Sequence, residues 1–456
     1  MAGTWYPNRP EELSGIVNGY LNQVRPVDGV PAALIVPHAG YKYSGSVAAY
    51  GFKQLESANI DTAVVIASDH QSPRSRPISV WSKGGYETPF GVLPINEQLA
   101  ARLIDYDASI QFDPETHSNE HPIEIELPFL KQVSPDCRIV PVMIGESHDE
   151  AVRVLVEALL NALPNEGVVV IASSDLSHYP EYEHALEVDE ATLVAIESGD
   201  PDELERVIQE NMAKGIPNLA TCACGEAPIR VAMQVAAGRG AETISLLHYS
   251  NSGNVEEGDR SRVVGYGAVM FWHYEPPELT GDHQSVLLQL ARDAVTTYVR
   301  TGVVPQDPMI GPELERLSAV FVTLRHGDKL RGCIGQVRAD TPLHQAVREK
   351  AVAAATGDPR FPALQESELN EISYEISILS PLDQISSESE VEVGTHGVAV
   401  NQGSQRAVLL PKVAAERDWE AETLLENLYA KAGLPTDGWK NPAGLYRFTT
   451  FEVAES

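Results

Sequence analysis

Cysteine is scarce in this chain: Cys137, Cys222, Cys224 and Cys333 are the only four in 456 residues. So few in so long a sequence make no disulfide framework, and they fit a reducing compartment. Long apolar runs are missing too, none approaching the ~20 residues that a helix needs to cross a bilayer. The opening MAGTWYPNRPEEL has no basic flank followed by an apolar segment, so no secretory signal is visible and the cytoplasm is the expected location. Basic residues are in deficit, with 33 Lys and Arg against 65 Asp and Glu for a formal charge of -32. Such a surface repels phosphate backbones and anionic lipid, so neither nucleic acid nor a membrane is an expected partner. There is no internal repeat and no low-complexity tract. No cysteine triad is present to ligate an iron-sulfur cluster.

What is present is a globular composition, 43% hydrophobic and 21% charged, in a chain too long for one core. Helix-like and strand-like segments alternate through the first 270 or so residues, which predicts an α/β layer architecture. The pattern halts at Tyr274 to His283 (YEPPELTGDH), whose adjacent prolines, glycine and polar residues mark a linker. Domains are expected at 1–273 and 284–456, joined by 274–283. In the second, helices are predicted at Ser285 to Arg300, Pro342 to Thr356 and Glu420 to Ala432, among strands such as Lys329 to Gln336 and Ile372 to Leu379.

Three apolar runs of the first domain share a feature. Ala32 to Val36 breaks at Pro37 and is followed by His38. Ala63 to Ala67 runs into Asp69 and His70, and Val168 to Ala172 into Ser173, Asp175, Ser177 and His178. If these are parallel neighbours, their carboxyl ends carry three imidazoles to one edge of a sheet, where open α/β folds keep their chemistry. Imidazole suits iron, copper, nickel or zinc, and a carboxylate or thiolate should complete the set. Cys224 is one choice, since a helix is predicted to begin near it and a helix N-terminus stabilises a thiolate. Glu124 is the other, within His117 to Leu130 (HSNEHPIEIELPFL), a stretch crowded with Glu120, His121 and Glu126 that reads equally well as a solvated helix face. Asp69 and Asp175 are expected to hold ligating imidazoles. A hydrolase built on Ser173 or Ser177 with His178 has little support, because no G-x-S-x-G elbow is present.

With AGTWYP (Ala2 to Pro7), PHAGYKYSG (Pro37 to Gly45), TPFG (Thr88 to Gly91), EHPIEIELPFL (Glu120 to Leu130), SSDLSHY (Ser173 to Tyr179) and CG (Cys224, Gly225) in order, the first 272 residues resemble the Memo family. Its members are similar in fold to the class III extradiol (LigB-type) dioxygenases. The resemblance implies a metal on His38, His70 and Cys224, with His178 as the acid/base group and Asp175 orienting it. Iron or copper is the implied cofactor, with zinc an alternative, since a thiolate is softer than the usual extradiol carboxylate. The sequence departs from the family at Ile66 to Gln71, where Gln71 replaces a second histidine.

LRGCIG (Leu330 to Gly335), DPRF (Asp358 to Phe361), ISILSP (Ile376 to Pro381), GTHGVAV (Gly394 to Val400), LLPKVA (Leu409 to Ala414) and KAGLP (Lys431 to Pro435) make residues 284 to 453 resemble the AMMECR1 family. That implies a compact α/β domain with a mainly antiparallel sheet. Gly332 and Gly335 beside Cys333 suggest close backbone approach to a packed neighbour or a ligand. Arg331 and Arg360 would either bind an anion or pair with carboxylates.

The fused pair resembles the A and B proteins of the AmmeMemoRadiSam system, which implies a separate radical SAM enzyme as partner. The expected function is oxidative or redox chemistry on a small organic substrate, with a phenol as the candidate class. The alternative is a non-catalytic metal-binding docking protein. Glu124, His121, Arg331 and Cys333 are the expected substrate or partner contacts.

Overall fold

The apolar runs of the first 273 residues assemble into one sheet. Its strands are β1 (Val30–Val36), β2 (Thr62–Ser68), β3 (Ile78–Val80), β6 (Ile110–Gln111), β7 (Arg138–Ile144), β8 (Val168–Ser173), β9 (Thr243–Asn251) and β10 (Gly265–His273), while β4 (Gly85–Thr88) and β5 (Gly91–Pro94) form a separate hairpin. The structure, a computed structural model, describes all residues except 28, 71–77, 119, 146–148, 242, 257, 274–277, 306–310, 386, 403–404, 441, 443 and 456. Gln71 and the first part of the expected linker lie outside the described residues. The chain divides into two units, Met1–Arg25 with Gly29–His273, and Tyr274–Ser456 with Pro26–Asp28.

In the first unit the eight-stranded order is β6-β3-β7-β2-β8-β1-β10-β9. Its centre, β7, β2, β8 and β1, is parallel. Ala63 to Ala67 and Val168 to Ala172 are buried on both faces, which is why these runs are continuously apolar rather than alternating. Ser173 stands opposite both Val36 and Ala67, so the three carboxyl ends are level. The loops carrying His38, His70 and His178 therefore leave the sheet from one edge.

Two helices beside this edge differ from what spacing predicts. Spacing predicts a helix over Ser46 to Leu55 after a glycine-broken loop, but the helix begins at Tyr41 (Tyr41–Lys53), so the KYSG stretch is helical. Tyr41 anchors it: its N–H donates to Trp5 O at 2.9 Å, its hydroxyl donates to Ile125 O at 2.9 Å, and its ring packs against Phe129. Gly45 serves that packing, because a Cβ there would sit 2.9 Å from the Tyr20 ring. The segment that could have been a solvated face is a buried helix, Pro122–Val133, with Ile123, Ile125, Glu126, Leu127, Phe129 and Leu130 inside.

The second unit has two antiparallel sheets, ordered β12-β11-β13-β18 and β14-β17-β15-β16. Here β11 is Ala319–His326, β12 Lys329–Gly335, β13 Ile372–Leu379, β14 Asp383–Gln384, β15 Gly397–Gln402, β16 Gln405–Leu409, β17 Leu445–Phe448 and β18 Thr450–Ala454. Its first helix starts at Gly281, inside the expected linker, because Thr280 and His283 form a reciprocal cap.

The LRGCIG glycines answer to packing. A Cβ on Gly332 would lie 2.1 Å from Ala354 O on the helix Leu343–Thr356, and one on Gly335 would lie 2.4 Å from Val320 O. Gly332→Ala is expected to cost about 1–3 kcal/mol through overpacking. Thermal unfolding checks this, and an unchanged melting temperature would refute the backbone contact.

A candidate metal centre at the sheet edge

Pro37 ends β1, and the chain then turns so that His38 lies over β8, 2% exposed. Its backbone N–H donates to Asp175 Oδ1 at 2.9 Å. The ring is gripped at both nitrogens, with Nδ1 2.9 Å from Ser173 Oγ and Nε2 3.2 Å from Cys224 Sγ. His70 follows β2, and its partner is Glu120. The His70 N–H donates to Glu120 Oε1 at 2.7 Å, and Nδ1 is 3.3 Å from Oε2. Cys224 precedes the N-cap Gly225 of the helix Glu226–Gly238. Its loop is tied to the end of β8: Cys224 N–H donates to Asp175 O, and Gly225 N–H donates to Ser174 Oγ at 2.8 Å. Gly225 has to be glycine, since a Cβ would meet the Ser174 Cβ at 2.5 Å.

Ligand atoms of His38, His70 and Cys224 all lie within 4.8 Å of one another. His70, Glu120 and His121 make a second trio with the same property. The His121 ring stands 5.3 Å from that of His38 and 5.6 Å from that of His70, and the Trp5 ring lies 4.3 Å from it, tilted by 34°. Glu124 belongs to neither trio; its Oε1 accepts from the Tyr6 hydroxyl at 2.7 Å.

His178 is fixed through its backbone, its N–H donating to Thr221 O, and Tyr179 beside it adopts φ 74°. Its Nε2 is 3.9 Å from Asp175 Oδ2, beyond hydrogen-bond reach. Asp175 thus holds the His38 backbone in this structure, not an imidazole N–H. The imidazole partners are Ser173 and Glu120, in place of the expected Asp175 and Asp69. The buried Asp69 has its own N–H on Ile144 O. Nor does Ser173 face His178 as a hydrolase would need, and the Ser177 N–H donates to Asp189.

Burial governs the electrostatics. It holds the His38 imidazole well below its ordinary range, aided by the neighbouring His121 and His70, so the ring is neutral at pH 7. His178 and His121 are each pushed down to about 4, mainly by burial. Asp175 is pushed up to about 7 by burial, against the pull of the His38 and Ala39 N–H groups. The Cys224 thiol is raised by burial and then by Asp175. Without a metal, burial therefore works against the thiolate that a helix N-terminus would favour.

In the second unit Arg331 pairs with Glu368 (Nε to Oε1 2.8 Å) and Arg360 with Asp358 (2.7 Å), so both arginines neutralise carboxylates. Cys333 is half-buried, its N–H on Asp358 Oδ2 and its sulfur 3.4 Å from Thr323 Oγ1.

Glu120 and Ser173 are the residues that spacing did not assign. Glu120 stood in plain view in a crowded acidic stretch. Ser173 had no signal, because its role depends on strand register.

Comparison with known proteins is in register with this division. The family profile described as Memo-like protein matches residues 1–270, and that described as AMMECR1 matches residues 288–453. The MEMO1 family protein of Methanobrevibacter smithii is 33% identical over 285 residues, covering 59% of this chain and 98% of that protein. The MEMO1 family protein of Aquifex aeolicus is 33% identical over 272 residues, covering 59% and 97%. Among solved structures, an uncharacterized protein of Pyrococcus horikoshii is 33% identical with a TM-score of 0.37, covering 38% of this chain and 92% of its own. One from Escherichia coli K12 is 18% identical with a TM-score of 0.35, covering 51% and 98%. By the extent and identity of these matches, the chain belongs to the Memo-like family and carries an AMMECR1 domain behind its Memo domain.

Proposed function

We propose that the first unit is a metal-dependent redox centre of the AmmeMemoRadiSam system, acting in the cytoplasm on a small phenolic molecule alongside a separate radical SAM enzyme. The observation that carries this is the convergence of His38, His70 and Cys224 within 4.8 Å. The donors fit a transition ion, because His38 is neutral and the sulfur is within 3.2 Å of its Nε2. Iron or copper, held by these three residues, would supply redox and Lewis-acid chemistry.

The chain's own residues supply the rest. Ser173 and Glu120 set the imidazole planes. Trp5 and His121, tilted 34° to each other with ring centroids 4.3 Å apart, put aromatic surface beside the site. Near neutrality Asp175 is partly protonated and His178 is neutral, since Asp175 lies near 7 and His178 near 4. The neutral His178 Nε2, which has no hydrogen-bond partner among the described residues, is free to accept a phenolic proton.

Among the described residues no helix is long and apolar enough to cross a membrane. The AMMECR1 domain is assigned substrate or partner docking, with Cys333 and Arg331 in its signature strand.

The test is turnover of catechols under air, after ferrous iron is supplied anaerobically. Ring cleavage in the wild type, lost in His178→Ala with metal retained, is the expected result. Bound metal with no turnover of any phenol, together with tight binding to the radical SAM protein, would make the chain an accessory protein instead.

A further inference from the structure

Below His38 lies a chain of polar contacts that the reading above leaves unused. Ser173, the last residue of β8, is fully buried. Its Oγ is 2.9 Å from His38 Nδ1, 2.8 Å from Glu126 Oε1 and 3.0 Å from Pro122 O. Glu126 is 0% exposed, and its Oε2 has no hydrogen-bond partner among the described residues. It forms no ion pair there either.

Proton counting limits what these groups can be. A serine hydroxyl has one proton to give and two lone pairs to receive with. Pro122 O can only accept, so it takes the serine proton. For His38 to turn the Nε2 lone pair toward Cys224, Nδ1 must carry the hydrogen and donate it to Ser173. One serine lone pair remains, and it faces Glu126 Oε1. An ionised Glu126 would set two acceptors competing for one proton and would bury a charge with no cation beside it. A protonated Glu126 gives each of the three contacts to Ser173 one donor and one acceptor.

We propose that Glu126 is a neutral carboxylic acid that donates to Ser173, and through it locks His38 in the tautomer with hydrogen on Nδ1 and a free lone pair on Nε2. Glu126 is thus a positioning residue for the metal site, one contact removed from the ligand. Burial, which pushes its carboxyl well above the ordinary range, and the nearby Asp175 both favour the neutral form. The consequence for metal binding rests on the reading of the previous subsection, but the hydrogen-bond chain itself does not.

The test uses full-length, metal-free protein labelled with nitrogen-15 at histidine, together with infrared spectroscopy of the carboxyl stretch. At pH 7 the wild type should show a protonated buried carboxyl that Glu126→Gln removes. His38 should appear as a single Nδ1–H tautomer in both proteins, since the glutamine amide also donates. In Glu126→Leu the serine hydroxyl loses its fixed direction, so both tautomers should be populated and metal affinity should fall roughly 10-fold. An ionised Glu126, or a single unchanged tautomer in Glu126→Leu, would overturn the proposal. If the leucine variant does not fold, the infrared difference with the isosteric glutamine still decides. Metal content is measured separately. A locked tautomer in a protein that binds no metal would sink the metal reading alone, and tight metal binding with an Nε2–H tautomer in the metal-free form would sink this one alone.

Discussion

Replacing Cys224 with alanine is expected to remove tightly held metal from the chain and leave the fold intact. The sulfur is the one donor of the trio that carries a charge once bound, and it lies 3.2 Å from His38 Nε2. Structural metal sites gain ~10–16 kcal/mol from about four ligands, so the loss of one anionic donor should weaken binding by about 100-fold or more. The side chain is only half-buried, and the Cys224 and Gly225 backbone N–H groups keep their bonds to Asp175 and Ser174, so the loop should hold its place. Metal analysis of protein purified without oxygen, with competition titration of the wild type and variant, checks this. Unchanged content and affinity would end the thiolate assignment. The holder would then be the trio of His70, Glu120 and His121.

The second large effect concerns pH. In the metal-free site the Cys224 thiol is protonated at neutral pH, because burial and Asp175 raise it. Metal binding must expel that proton, so apparent affinity should rise tenfold per pH unit. Asp175 adds a second proton over a narrower range. Its carboxyl is raised to about 7, so below that pH it is protonated without metal, and a bound cation favours its ionised form. The slope of log affinity against pH should therefore be close to one above pH 7 and steeper below it. His38 adds nothing in this range, since it is already neutral. Titrations from pH 6 to 8.5 give the slope directly, and Asp175→Asn should lower it below pH 7 while leaving it close to one above. A flat profile would show that no thiol proton is displaced.

Much of the frame was legible without coordinates. Continuous apolar runs such as Ala63 to Ala67 read as strands buried on both faces, and their breaks at Pro37 and Ser68 marked where loops leave the sheet. Local pattern is enough for this, because a strand covered on both sides is apolar along most of its length. The linker ended earlier than composition indicated, at a cap made by Thr280 and His283. The Tyr41 helix also began earlier, because a buried tyrosine and a packed glycine extend it through a stretch that reads as a turn.

The amino-acid sequence by itself settled the α/β frame, the strand-end histidines and the split into two recognisable family regions, since each follows from periodicity or from motifs read along the chain. Only the tertiary structure decided which groups hold the imidazoles and what charge they carry. Ser173 reaches His38 because register sets it level with Val36, and Glu120 reaches His70 across 50 residues of chain. Burial raises the Cys224 thiol, against what a helix N-terminus would favour. Hydrogen-bond partners and desolvation depend on distances through space, and a linear order of residues does not contain those.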